Sequence, residues 1–289
     1  MARTLSTGMA GHIAGNATTL AQMLRLDLND GATYGFTDHN KTLSFDLGDG
    51  AIDYRPDTGV IPSDLSLSAG FEADEIEISG PITDSITAAA IIGGRFDGAT
   101  ARLFRVNWRD LSSGSIKLLK GYVALAEISG ERFKLTVHSE AARYAQTIGR
   151  VITGYCDADF QDARCGYSEA ATAATVTGAT DEREFAVSFS GTIASNYFNR
   201  GTVTFLTGDL TGTRPVEVFD FAGGTGGGTL ALYAPLAAVP AVGDTLEIRR
   251  GCEKTRAACM AYSNIDNFRG FPDVPGSDQV LRYPNPGGG

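Results

Sequence analysis

The chain has 289 residues, enough for two domains of ordinary size, and its 43% hydrophobic and 20% charged residues are typical of a globular protein. Its 34 acidic and 24 basic residues give a formal net charge of −10, which argues against the broad basic surface of a nucleic-acid-binding protein. No run approaches the roughly 18 apolar residues of a membrane span, and the N-terminus lacks the apolar core of an export signal. We therefore expect synthesis and assembly in the cytoplasm, where a reducing environment suits free or metal-bound thiols better than disulfides.

Residues 1–149 are predicted to form a β-rich domain. The chain has 36 glycines, and many lie beside Thr, Val, Ile and Phe, which indicates short strands joined by tight turns. Segments of alternating apolar and polar residues, separated by Asn, Asp and Gly, predict strands. These segments are 25–28, 32–36, 41–47, 65–67, 75–79, 98–108, 115–129 and 131–138.

Helices interrupt these strands at three predicted places. Each shows apolar residues at helical spacing after a side chain that can cap the first turn. The three are a short helix within 9–26 capped by Thr18 or Thr19, a helix at 84–92 capped by Asp84 or Ser85, and a helix at 141–148 capped by Ser139.

Residues 150–289 are predicted to form a second domain, with residues 172–249 as a β insertion inside it. Six short strands with turn residues between them predict a small barrel or sandwich for the insertion. The expected strands are 175–177, 184–189, 201–205, 214–219, 229–233 and 244–248. The glycine run at 223–228 lacks the Lys-Ser/Thr ending and following helix of a phosphate-binding loop, so a hairpin tip is expected. The last residues, 284–289, are expected to be flexible.

The four cysteines are the chain's most informative residues because they fall into two pairs. Cys156 and Cys165 have eight residues between them, and Cys252 and Cys259 have six. Structural zinc sites usually draw each ligand pair from a turn with two to four intervening residues, so these gaps fit zinc poorly. Iron–sulfur clusters tolerate wider ligand spacing. A helix over 253–260 would hold Cys252 and Cys259 about 10 Å apart, too far for a disulfide.

A metal site is therefore favoured as a class, but the residues alone leave cluster, zinc and free or bridged thiols open.

The sequence shows no recognisable catalytic motif. His12, His39 and His138 have no partner at metal-binding spacing, and no Gly-x-Ser-x-Gly motif occurs. We predict no catalytic residue.

A family resemblance decides between these alternatives. Cys-x8-Cys, a β insertion, Cys-x6-Cys and then Asn-Phe-x-Gly-Phe-Pro-x-x-Pro-Gly at 267–276 resemble the C-terminal part of tail hub proteins of long-tailed phages and gene transfer agents. The cysteine pattern is also similar to that of the phage lambda minor tail protein L family, which carries a four-iron cluster. Further matches lie at residues 33–39 and 94–108. The resemblance is most specific at 94–108, 150–166 and 250–276.

The resemblance implies a mainly β fold, a β-rich hub domain followed by a cysteine-clamped domain, and a structural role without catalysis. It implies a homotrimer in the tail baseplate of a virion or gene transfer agent, assembled in the bacterial cytoplasm. The implied neighbours are the distal tail protein ring and a central, megatron-like tip or fibre protein, with DNA passing through without specific binding. The expected rivals are a tail-associated hydrolase and a zinc-stabilised interaction module.

The resemblance also implies that Cys156, Cys165, Cys252 and Cys259 ligate one [4Fe–4S] cluster, with zinc as the alternative. We expect the aromatic segment 268–275 to form an apolar lid over this site, because apolar cover controls solvent access to a metal. Lys254 and Arg269 are expected to donate hydrogen bonds or positive charge toward the anionic cluster.

Overall fold

The computed structural model describes residues 5–56, 61–62, 75–83, 86–145 and 147–274. The expected strand at 65–67, the caps Asp84 and Ser85, the motif residues Pro275 and Gly276, and the tail at 284–289 lie outside these ranges. The chain divides into two units. Unit 1 comprises residues 1–147 with 209–214, and unit 2 comprises 148–208 with 215–289.

Unit 1 is built on a seven-stranded antiparallel sheet with strand order β2-β1-β7-β8-β9-β6-β5, beside a separate hairpin of β3 and β4. Its elements, with a 3-10 helix at Leu111–Ser113, are α1 (Thr7–Ile13), β1 (Leu20–Asp27), β2 (Thr33–Thr37), β3 (Leu43–Asp46), β4 (Ala51–Tyr54), β5 (Ile61–Pro62), β6 (Glu75–Pro81), α2 (Ala88–Ile92), β7 (Thr100–Asn107), β8 (Ser115–Ser129), β9 (Arg132–Ser139) and α3 (Ala141–Tyr144).

The predicted helix beginning at Thr18 or Thr19 is wrong, because Leu20–Asp27 is a strand. Successive side chains of a strand point to opposite faces, and both faces of β1 are covered. Met23 packs in one apolar cluster with Phe104, while Leu24 packs in the other. Burial on both faces removes the apolar–polar alternation that would have indicated a strand. The helix of this region lies earlier, capped by Ser6.

The other two helices of unit 1 are shorter than predicted. α2 begins at Ala88, and its cap is Thr87, whose hydroxyl accepts the N–H of Ala90. α3 ends at Tyr144 and has no side-chain cap, since Ser139 belongs to β9. The predicted β meander is confirmed, and residues 115–129 form one long strand paired with both β7 and β9. Strand β4 was missed by the sequence patterns.

Tyr54 gives unit 1 a measurable dependence on alkaline pH. Its side chain is 0% exposed, and burial raises its pKa to about 12 against the opposing influence of Arg25. A pKa raised above the unfolded value of about 10 contributes stability that is complete below pH 10 and lost as pH rises toward 12. We expect Tyr54→Phe to remove about 2 kcal/mol of this pH dependence. Denaturation at pH 9 and 11.5, followed by the fluorescence of the single tryptophan, Trp108, measures it.

Trp108 is a suitable probe because it packs against the cluster that contains Tyr54. Tyr144→Phe is the matched control, since Tyr144 is 81% exposed. Equal loss of stability between the two pH values in wild type and Tyr54→Phe would contradict the expectation.

Unit 2 contains a closed antiparallel barrel of six strands in the order β10-β11-β14-β13-β12-β15. The strands are β10 (Thr172–Ala179), β11 (Glu184–Thr192), β12 (Thr202–Phe205), β13 (Val216–Gly223), β14 (Thr225–Leu232) and β15 (Thr245–Arg249). The mainly β fold is confirmed, and a barrel rather than a sandwich is the form adopted. The glycine run 223–228 lies at the β13–β14 hairpin, as expected.

Outside the barrel, described unit 2 includes the loop 148–171, the segment 250–255, helix α4 (Arg256–Ala261), a 3-10 helix at Ile265–Asn267 and the segment that follows to residue 274. These parts carry all four cysteines. Among the described residues, no helix is both long enough and apolar enough to cross a bilayer.

Candidate metal centre

The first cysteine pair is held in a loop that is ordered by hydrogen bonds rather than by regular secondary structure. The N–H of Cys156 donates to the carbonyl of Lys254 at 2.8 Å, which connects this loop to the second pair. The carboxylate of Asp162 accepts the N–H of Cys165 at 2.6 Å and the N–H of Asp159 at 3.2 Å. These contacts fix the backbone that carries Cys165, the one buried cysteine among the four.

The second pair flanks the start of α4. Thr255 caps the helix by accepting the N–H of Ala258 at 3.2 Å, so the helix begins at Arg256, after Cys252. The predicted helix over 253–260 is therefore wrong at its start, and the distance argument against a Cys252–Cys259 bridge no longer applies. Lys254 adopts a left-handed conformation with φ of 59°, and its N–H donates to the Cys252 sulfur at 3.3 Å.

All four cysteines line one small cavity of about 20 Å³. Each of the four is a free thiol. Burial and the nearby thiols of Cys156, Cys252 and Cys165 raise the pKa of the Cys259 thiol. A metal bound here would have to displace that proton, because thiolates are the ligands. Within the described ranges, no group of three or more His, Cys, Asp and Glu side chains is arranged around a single ion.

An aromatic cluster covers part of this cavity. Phe160 and Tyr262 line it, and their rings lie 4.9 Å apart. Tyr167 completes the cluster, 5.2 Å from Phe160 and 4.9 Å from Tyr262. The guanidinium of Arg250 stacks on Tyr262 at 4.8 Å. The apolar cover is thus supplied by residues next to the cysteines in sequence.

The expected lid at 268–275 is not part of the cavity wall as far as it is described. Phe271 instead lies against the Arg150 guanidinium, 4.8 Å from the ring centre, and its N–H donates to the Thr153 carbonyl at 2.8 Å. Arg150 also binds the Asp157 carboxylate through two hydrogen bonds of 2.6 and 2.9 Å and the Arg269 carbonyl. This segment therefore fastens to the first cysteine loop.

The two expected cationic donors behave differently. Lys254 lines the cavity, but it reaches sulfur through its backbone N–H, while its ammonium donates to the carbonyl of Ala158. Arg269 is exposed, and its backbone carbonyl accepts a hydrogen bond from the Arg150 guanidinium.

Sequence reasoning missed two asparagines that line the cavity. The Asn264 amide donates to the Cys165 carbonyl at 2.7 Å, and Asn267 donates to the Asn264 side chain at 2.8 Å. Asn267 was noted as part of the aromatic motif, but nothing in its spacing indicated contact with a cysteine. The histidines make local contacts away from this cavity. His12, for example, accepts the N–H of Thr19 at 2.9 Å.

Comparisons with known proteins bear on the whole chain. A family model described as "Baseplate hub protein, N-terminal attachment domain" matches residues 6–168, more than half of the chain. A second, described as "Phage conserved hypothetical protein BR0599", matches residues 196–278. A comparison with curated proteins found no significant match.

A solved structure is similar over nearly the full length. It is described as "Virion of native gene transfer agent (GTA) particle". The matched chain is 27% identical, with a TM-score of 0.82, and the similarity covers 98% of this chain and 97% of that one.

Proposed function

The chain belongs to the family of baseplate hub proteins, and from this premise we propose that it is the structural hub of a phage-like tail. It is a structural baseplate protein of a virion tail and not an enzyme. The observation that carries the proposal is the similarity along 98% of its length to a chain of a gene transfer agent virion. The rival of a tail-associated hydrolase is not supported, because the baseplate hub family model and the virion chain both indicate a structural tail protein.

The proposed assembly is a homotrimer that joins the distal tail protein ring to the central tip or fibre protein around the DNA path. Exposed apolar side chains between residues 148 and 155, all in unit 2, support burial against partners, since large exposed apolar surface usually marks an interface. These are Ile148, Val151, Ile152 and Tyr155, each at least 62% exposed. The net charge of −10 supports passage of DNA without tight binding.

Cys156, Cys165, Cys252 and Cys259 are proposed to hold one [4Fe–4S] cluster. The residues present fit this group, because four thiols converge on one cavity partly covered by aromatic rings. Zinc is the alternative. When bound, the cluster would supply metal–thiolate bonds between the first cysteine loop, which precedes the barrel in sequence, and the start of α4, which follows it.

Elemental analysis of anaerobically purified protein tests the cofactor. We expect about four iron and four sulfide per chain with broad visible absorption. Zinc without iron would support the alternative of a zinc site, and metal-free protein would contradict both the cluster and the zinc site.

Light scattering with the purified distal tail protein tests the assembly. A monomer that does not associate would contradict the hub proposal, whatever the metal content.

A further inference from the structure

We infer that Asn264 is a positioning residue of the four-thiol cavity, and that its amide raises the reduction potential of the cluster held there. This inference rests on the proposed [4Fe–4S] site. It concerns a residue that lies outside the cysteine pattern and outside the aromatic motif of the C-terminal segment.

Asn264 contacts one cysteine from each pair. Its side-chain nitrogen lies 2.7 Å from the Cys165 carbonyl and 3.6 Å from the Cys165 sulfur, within hydrogen-bonding range for sulfur. Its backbone N–H donates to the Cys259 carbonyl at 3.0 Å, and its backbone carbonyl accepts the free Cys259 thiol at 3.1 Å, a bond that ends when the thiol becomes a thiolate ligand. A single residue thus connects the backbones of two cysteines that are far apart in sequence.

The orientation of this amide is itself fixed. Asn267 donates to the Asn264 side-chain oxygen at 2.8 Å, which leaves the Asn264 nitrogen directed at Cys165. The backbone N–H of Asn267 also donates to the Asn264 carbonyl, at 3.0 Å. A group held by several hydrogen bonds needs no reorganisation when a negative sulfur forms beside it.

The Cys252 sulfur receives a comparable N–H from the Lys254 backbone at 3.3 Å. Hydrogen bonds to the sulfurs are one of the factors that set the potential of an iron–sulfur cluster. An N–H donor favours the state with more negative charge, and reduction adds negative charge. The Asn264 amide therefore makes reduction easier, and its removal makes reduction harder.

The test compares Asn264→Ala and Asn264→Asp with wild type, using iron and sulfide content and the reduction potential of the anaerobic protein. We expect Asn264→Ala to lower the one-electron reduction equilibrium constant about tenfold, equivalent to about 59 mV. Asn264→Asp should lower it further, because an acceptor of similar shape and negative charge replaces the donor. Ser263→Ala, which truncates an exposed neighbouring side chain, should leave the potential unchanged.

Variants that load iron fully and keep the wild-type potential would overturn the inference while leaving the cluster proposal intact. Wild-type protein without iron and sulfide would overturn both. If Asn264→Ala does not bind iron and sulfide, the reduction potential of Asn267→Ala provides the test. This variant keeps the Asn264 donor but frees its orientation, so a smaller shift in the same direction supports the inference and an unchanged potential overturns it.

Discussion

Replacing Cys165 by serine is expected to prevent binding of the proposed cluster and to destabilise the cysteine-bearing part of unit 2. Cys165 is buried, and its loop is fixed by the Asp162 carboxylate, so a different residue cannot move in as the fourth ligand. Structural metal sites contribute on the order of 10 kcal/mol to folding, and the loss of one ligand should cost several kcal/mol of that. We expect a fall in melting temperature of about 10 °C or more.

The comparison that separates ligation from packing is Cys252→Ser. Cys252 is only partly buried, so a packing role predicts a clearly smaller effect than at Cys165. A ligand role predicts the same loss of iron for both variants, measured by metal analysis and by the visible spectrum. Full iron content in either variant would remove that cysteine from the proposed ligand set.

The barrel could be predicted from sequence because each of its strands covers a single core. In β12, for example, Val203 and Phe205 are buried, while Thr202 and Thr204 between them are only partly buried. This alternation can be read directly from the chain. Strand β1 could not be predicted in the same way, since apolar clusters cover both of its faces and the apolar spacing imitates a helix.

The candidate site was predictable only in its donor atoms. Cysteines are rare enough for four in two pairs to be conspicuous, and all four reach one cavity. The Thr255 cap could have been found, since a threonine before a run of helix-forming residues is a start signal. The hydrogen bonds of Asn264 could not, because they depend on where the turn after α4 places its backbone relative to Cys165.

Backbone proximity beside the cysteines is equally invisible in the sequence, and Gly251 is the example with the largest expected effect. This residue is buried and directly precedes Cys252. A Cβ at this position would overlap backbone atoms of both Arg200 and Gly201. The Gly251 carbonyl also accepts the hydroxyl of Tyr262 at 2.8 Å, and Tyr262 lines the cysteine cavity. The absence of a side chain is therefore required where the end of the barrel meets the cysteine-bearing segment.

Gly251→Ala is expected to destabilise unit 2 by about 3 kcal/mol or more, because two backbone segments must separate to admit the methyl group. Displacement of Cys252 and Tyr262 should also lower the iron content.

Gly154→Ala is the matched control. Gly154 precedes Cys156 in the other pair, and a Cβ there would make only an ordinary contact of 3.7 Å with Pro272. Thermal unfolding and iron analysis of the two variants measure the difference. Wild-type stability and iron content in Gly251→Ala would show that the barrel and the cysteine segment can move apart without disturbing the site. Equal losses in both variants would show that the effect does not come from the backbone overlap at Gly251.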